Sequence, residues 1–392
     1  MRLNEKQNIS RKQLPGNNDY LAPEQDEIEV SLFGPGYGES VLLHIGYNQW
    51  VIVDSCIEPV SEFPAPISYL RRINVDPAIA VKQIIATHWH DDHVRGLAEA
   101  FKECKSAEFV CSVAQTTKEF FTLVAVYGAR SMIESTGVKE FSEILEILRN
   151  RGTKNKFISP KFAVEGRCLW QRNTKPGDQS QPCAIYALSP SDASVLLAQI
   201  GLSKLIPQVG ETKKRVPSLG PNHSSVVLLV TIGQDSILLG ADLEETGNSN
   251  TGWMAIINSG TRPKEKASFF KIPHHGSVTA DNPQVWSLML RSKPISSLTP
   301  FATGKVFLPT KDDVVRICNN TDKAFATSIP KHPKSRSRPK MVEKQLKEMR
   351  IKLRSVYCSP GQVRARGRYI DEKINWTVQL LGGAIELKDI YH

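Results

Sequence analysis

The chain has 392 residues, 40% of them hydrophobic and 23% charged, which allows one large core or two ordinary ones and excludes neither. It holds no run of about 18 apolar residues, so a membrane span is not expected, and the polar opening stretch Met1 to Glu27 lacks the apolar centre of a secretory signal. The net charge of +10 is concentrated: residues 331–370 carry 13 Lys and Arg against Glu343 and Glu348, an excess of +11 that leaves the remainder near neutral.

Seven cysteines, Cys56, Cys104, Cys111, Cys168, Cys183, Cys318 and Cys358, are scattered with no C-x-x-C spacing. They read as reduced thiols of a cytoplasmic protein rather than a disulfide framework.

In chain order, residues 1–27 are expected to form a polar leader. From Ile28 the pattern turns to strands: Ile28–Leu32 alternates, Gly34-Pro35-Gly36-Tyr37-Gly38 forces a turn, and Ser40–Ile45 and Trp50–Asp54 follow. A short helix near Ile67–Ile73 leads to the strand Gln83–Thr87. That strand delivers the densest group of functional side chains, His88-Trp89-His90-Asp91-Asp92-His93, with three of the nine histidines in six residues. His88 and His90, two apart at a strand end, can grip one cation. Asp92 and His93 in the following turn can hold a second, because imidazole nitrogen and carboxylate oxygen suit borderline divalent ions.

A helix over Gly96–Lys102 and a strand over Phe109–Cys111 continue an alternation that indicates an α/β architecture. Residues 115–150 break it. Phe120, Phe121, Leu123, Val124 and Val126, then Phe141, Ile144, Leu145, Ile147 and Leu148, recur at helical spacing, predicting a two-helix insertion packed on the core or on itself. A second β-rich block begins near Ala163 and includes Ala184–Leu188. Ser191 or Asp192 is placed to cap a helix over Ala193–Ile200. After a polar loop, His223 stands at the mouth of a hairpin, Val226–Ile232 with Ser236–Asp242, and Asp242 at its exit, so the two can be neighbours at one sheet edge. Phe269–Pro273 then runs into His274-His275-Gly276, where one ring can ligate and the other can exchange a proton.

In the C-terminal region, Lys331–Lys340 reads as a linker and Val342–Lys352 as a basic helix. Leu353–Tyr357, Val363–Ile370, Trp376–Leu381 and Ala384–Leu387 read as strands, forming either a small accessory module or an added edge of the main sheet. Arg364, Arg366 and Arg368 alternate on one strand and so share a face. With Lys334, Arg336 and Arg338 they are candidate contacts to nucleic-acid phosphates.

Gly34-Pro35-Gly36-Tyr37-Gly38, His88-x-His90-x-Asp92-His93, Asn222-His223-Ser224-Ser225, Leu239-Gly240-Ala241-Asp242 and Pro273-His274-His275-Gly276-Ser277 together resemble the metallo-β-lactamase superfamily, over roughly residues 28–310. They are most similar to its competence-protein branch (the ComEC-type hydrolase domain of DNA uptake). The resemblance implies a four-layer αββα sandwich spanning residues 28–328, with the 115–150 helical insertion and a small basic β-rich extension over 329–392. It implies two divalent cations, zinc first, with manganese or iron as alternatives. His88, His90 and His223 would hold one ion; Asp92, His93 and His275 the other; Asp242 would lie between them. Asp54 and Asn222 would support the ligands, Asp92 would share in catalysis and His274 would protonate the leaving group. The implied reaction is hydrolysis by a metal-bridged hydroxide, on DNA or RNA phosphodiesters. Two alternatives stand beside it. One is a hydrolase of a small metabolite or nucleotide messenger. The other is a metal-containing component of a larger bacterial assembly, such as a defence system, that docks a protein partner through the C-terminal region.

Overall fold

The computed structural model describes residues 20–34, 38–128, 136–153, 158–174, 180–206, 221–303, 306–330, 339–349 and 360–391. Lys334, Arg336, Arg338, most of the leader and linker, and the strand expected at 353–357 lie outside these residues. In chain order, β1 (Glu27–Gly34), β2 (Ser40–Ile45), β3 (Trp50–Val53), β4 (Val81–Ala86), β5 (Glu108–Ser112) and β6 (Lys161–Ala163) build one sheet. The chain then crosses to a second sheet through β7 (Cys168–Arg172), β8 (Cys183–Ala187), β9 (Leu228–Ile232), β10 (Asp235–Leu239), β11 (Ala267–Lys271) and β12 (Leu290–Leu298). A two-stranded ribbon, β13 (Phe301–Thr303) and β14 (Val306–Leu308), precedes β15 (Ala324–Ala326). The C-terminal region adds β16 (Gly361–Ile370), β17 (Lys373–Gly382) and β18 (Ile385–Glu386). The sheets run β17-β16-β1-β2-β3-β4-β5-β6 and β18-β15-β12-β11-β10-β9-β8-β7.

Successive strand residues point to opposite faces, and here both faces are dry. Ile85, Val230 and Phe269 meet between the sheets with Val30, Val51, Ile185 and Ile237. Their immediate neighbours face outward. Ile84 joins Trp50, Phe101, Phe109, Phe120 and Phe141 under helices on the first sheet. Leu229 and Phe270 join Trp253, Met289, Val314 and Ile317 under helices on the second. Three apolar cores between four layers make the fold an αββα sandwich, as expected. They also explain why β2, β3 and β10 are buried at every residue.

The two insertion helices are Lys118–Gly128 and Thr136–Arg151, with Phe120 set edge-on to Phe141 at 5.1 Å. They do more than pack on each other. Glu140 accepts from the backbone N–H groups of Gly96 and Ala98, at 2.8 Å each, and so caps the helix Leu97–Glu103, whose own N-cap is Gly96. Ser191, not Asp192, caps the helix Asp192–Ser203, accepting from Ser194 N.

Of the two arrangements open for the C-terminal strands, the structure has the added edge. β16 pairs antiparallel with β1 from Glu27↔Arg368 to Gly34↔Gly361, β17 lies outside it, and β18 joins β15 in the other sheet. Among the described residues no helix is long and apolar enough to cross a membrane.

Candidate metal centre

The site is assembled from loops at the C-terminal ends of β3, β4, β10 and β11, which form the parallel pairs β3·β4 and β10·β11. The two sheets are tied at this rim by Val226 N donating to Thr87 O (3.1 Å) and Ser112 Oγ donating to Ser224 O (2.9 Å). Four non-glycine residues in these loops are held in the left-handed region: Asp54 (φ 58°), Ala241 (45°), His274 (45°) and His275 (56°). Each such residue costs on the order of 1–3 kcal/mol and persists where the surroundings over-determine it. Gly38, at φ 94°, lets the β1–β2 connection lie against the metal-binding turn, since a Cβ there would stand 2.9 Å from Asp92 O.

Asp92, His93, Asp242 and His275 converge, all buried, with one donor atom of each within 4.8 Å of the others. Asp242 Oδ2 is 3.3 Å from His93 Nε2 and 3.7 Å from His275 Nε2. Asp92 Oδ2 is 3.4 Å from His275 Nε2 and 4.0 Å from His93 Nε2. Four donors around an ion at about 2.0–2.1 Å would be about 3.3–3.4 Å apart, so the set is nearly of the right size already. The other ring nitrogens are spoken for. His93 Nδ1 donates to Asp54 Oδ2 at 2.7 Å, and His275 Nδ1 to Thr299 O at 2.8 Å, which aims each Nε2 into the cluster. Asp54 also accepts from Thr87 N (2.8 Å) and Thr87 Oγ1 (2.7 Å). It falls within ligand reach of His88 and His93 as well, but its oxygens are engaged by these donors and it acts as their support.

His88 continues the site. Its Nδ1 lies 2.9 Å from Thr87 Oγ1, and its Nε2 lies 3.1 Å from His90 Nδ1, so His88 and His90 present a nitrogen pair beside the four-donor cluster. His223 lies in the single turn Pro221–Ser224. Among the described residues, neither His223 nor His90 belongs to a set of three or more donors that closes to within 4.8 Å. Among the described residues, His90 Nε2, His93 Nε2, His223 Nδ1 and Asp242 Oδ1 are buried without a hydrogen-bond partner. Orphaned buried donors and acceptors are costly. Their concentration here, on imidazole and carboxylate groups, fits divalent cations.

The electrostatics agree. Burial alone would strip the proton from His93, yet Asp242, Asp54 and Asp92 hold its pKa well above the ordinary range. His275 is also raised, burial being outweighed by Asp242 and Asp92. Asp92 and Asp242 are held low against burial by these two rings. His88, by contrast, is pushed well down, by burial first and then by His93 and His90. The carboxylates around His93 and His275 thus favour positive charge in the cluster, which a divalent cation would also supply.

Of the adjacent pair, His275 is in the cluster and His274 is outside it. His274 Nδ1 is 3.1 Å from Glu244 Oε1, and His274 Nε2 is 3.4 Å from Asn222 Nδ2. Glu244 also accepts from Thr279 Oγ1 (2.8 Å), and His274 holds its pKa down against the raising effect of burial. Glu244, Glu39 and Lys271 were not singled out from sequence. Glu244 sits two residues beyond Asp242, and Lys271 is a lone charge in the apolar run Phe269–Ile272, which was the available signal.

The arginine row needs correction as a free surface. Arg364, Arg366 and Arg368 do share a face, but its first two members are covered. Arg364 is 1% exposed and donates to Gln379 Oε1 (2.6 and 2.9 Å) and Tyr69 Oη (3.2 Å). Arg366 is paired with buried Glu29 at 2.7 Å. Arg368 is the exposed member, 3.2 Å from Asp26.

Residues 33–135 match the family described as the metallo-beta-lactamase superfamily. Solved structures similar to the chain include the subclass B3 metallo-beta-lactamase MEM-A1 from a soil metagenome library (13% identity, 66% of this chain and 83% of that one, TM-score 0.30). Two others are MIM-1 from Novosphingobium pentaromativorans (14%, 71% and 83%, TM-score 0.28) and a Cronobacter sakazakii enzyme with a HARLDQ motif (14%, 60% and 68%, TM-score 0.29). No curated protein matches the sequence.

Proposed function

We propose that the chain is a metal-dependent hydrolase of phosphodiesters that uses two divalent cations. The observation that carries this reading is the convergence of Asp92, His93, Asp242 and His275, with buried unpartnered donor atoms, beside the His88–His90 pair. Asp92, His93, His275 and Asp242 would hold one cation; His88 and His90, with Asp242 facing them, the other. Bound there, divalent cations supply an acidified water and stabilise charge on the attacked and leaving oxygens. The chain's own part is to aim and to move protons. Asp54 and Thr299 fix the tautomers of His93 and His275 through their Nδ1 atoms. Glu244 orients His274, whose side chain is 22% exposed and would protonate a leaving oxygen through Nε2 once that nitrogen parts from Asn222 Nδ2.

Nucleic acid is the first substrate reading, supported by the +11 excess over residues 331–370. A small phosphodiester, such as a nucleotide messenger, is the second. It is favoured by the burial of Arg364 and the pairing of Arg366 with Glu29, which remove two guanidinium groups from any strand-tracking surface. Protein stripped with chelator and reloaded with zinc or manganese should hydrolyse bis-p-nitrophenyl phosphate and lose that activity in Asp92→Ala. Plasmid, single strands and RNA then decide between the two substrate readings. Fully loaded protein that cleaves none of these would refute phosphodiester hydrolysis.

A further inference from the structure

Behind the donor cluster lies a second group of charges that none of the expected ligand roles uses. Lys271 ends β11 with its side chain 1% exposed. Its ammonium forms an ion pair with Glu39 Oε1, donates to Ala241 O at 2.9 Å and stands 3.8 Å from Asp242 Oδ1. Glu39 is itself 2% exposed and is held over the site by its N–H bond to Asp92 O (2.9 Å). A buried ammonium is expensive unless paired, so its place here needs a reason.

The two oxygens of Asp242 have different surroundings. Oδ2 faces His93 Nε2 and His275 Nε2 at 3.3 and 3.7 Å. Oδ1 is turned away, is buried without a hydrogen-bond partner among the described residues, and has the Lys271 ammonium beside it. A carboxylate can chelate an ion through both oxygens; here a fixed positive charge claims one of them. The same ammonium, through Ala241 O, also braces the left-handed turn that precedes Asp242.

We propose that Lys271, seated on Glu39, is a positioning residue that occupies the far side of Asp242 and leaves a single Asp242 oxygen to the cations. This rests on the metal-centre reading above. The test is cobalt(II) titration of the full chain, followed by the visible d–d absorption and by the dissociation constant of each equivalent. Lys271→Met frees the second Asp242 oxygen. It is expected to weaken the d–d bands, as a higher coordination number does, and to tighten the affected equivalent by about tenfold, because a donor is gained and a buried positive charge 3.8 Å from Asp242 Oδ1 is lost. Lys271→Met combined with Glu39→Leu removes both charges and leaves neither unpaired; it is expected to recover the melting temperature but not the spectrum. Glu39→Gln keeps the ammonium and the packing and is expected to keep wild-type bands.

A double variant with wild-type bands and affinities would overturn the proposal, as would Glu39→Gln bands that match those of Lys271→Met. Wild-type protein that takes up no cobalt would instead remove the metal centre itself.

Discussion

Asp54 shows how one side chain can set the geometry of a ligand it does not replace. It accepts from Thr87 N, Thr87 Oγ1 and His93 Nδ1, so it ties the end of β4 to the second turn of the metal motif. Asp54→Asn substitutes a donor for one acceptor oxygen. It is expected to weaken zinc binding about 10–100-fold in a chelator competition assay; unchanged affinity would show that His93 needs no such anchor. His44 gives a different test. It is 2% exposed, Asn48 N donates to its Nε2, and its Nδ1 meets Glu27 O at 2.7 Å, so the neutral ring is fully satisfied. Burial, with Arg366 and Arg172 adding to it and the Glu27 carbonyl opposing, lowers its pKa from 6.5 to about 4. Between those values the unfolded chain binds the proton and the folded chain does not, so stability falls as pH drops. The loss reaches about 3 kcal/mol once pH is below the folded value. In urea titrations His44→Gln is expected to flatten this decline relative to wild type; parallel profiles would contradict it. At this scale the ligands were legible because six consecutive residues carry most of them. Glu39, Lys271 and Glu244 were not, because their meaning arises only when the β1–β2 connection, β11 and the turn after β10 are brought together.

Among the elements, the insertion helix Thr136–Arg151 is the one tied most closely to the metal-binding turn. Glu140 caps the helix that follows the turn, and Gly137 N donates to Asp91 Oδ1 at 2.8 Å. Gly137 packs so closely that a Cβ would fall 2.1 Å from Trp89 O. Glu140→Ala removes two backbone hydrogen bonds and is expected to cost about 1–2 kcal/mol in equilibrium unfolding; a change within error would mean that water replaces the cap. The helical spacing of Phe120, Leu123, Phe141, Ile144 and Leu148 made these helices readable, while the contacts of Glu140 and Gly137 to the turn were not. β12 was missed for a physical reason as well. Its sequence carries Arg291, Lys293 and Pro294, and its fully buried Ser296 and Ser297 look like surface residues in sequence. The opposite error occurred on β16. Alternation correctly put Arg364, Arg366 and Arg368 on one face, but periodicity does not say that Tyr69, Glu29 and Gln379 cover that face.

For the whole molecule, the C-terminal strands belong to the sandwich itself. β16 covers the full length of β1, and Val363 and Ala365 reach the core between the sheets. Removing residues 360–392 would expose β1 as an unpaired edge and open that core. The truncated chain is expected to be insoluble or to melt well below wild type; a soluble, equally stable product would show that these strands are dispensable. Charge and fold must therefore be tested separately. Replacing Lys331, Lys334, Arg336 and Arg338 with neutral residues is the cleaner probe of polyanion attraction, and is expected to reduce the salt dependence of nucleic-acid binding. Strand and helix patterns indicated an α/β architecture and the resemblance implied its four-layer order, whereas the sheet to which each late strand belongs depends on pairing between distant segments. Whether loops from two sheets close around two cations is read from metal stoichiometry by mass spectrometry on purified protein after zinc loading and desalting. Two equivalents per chain are expected, with at least one lost in His93→Ala. A folded wild-type chain that retains none would contradict it.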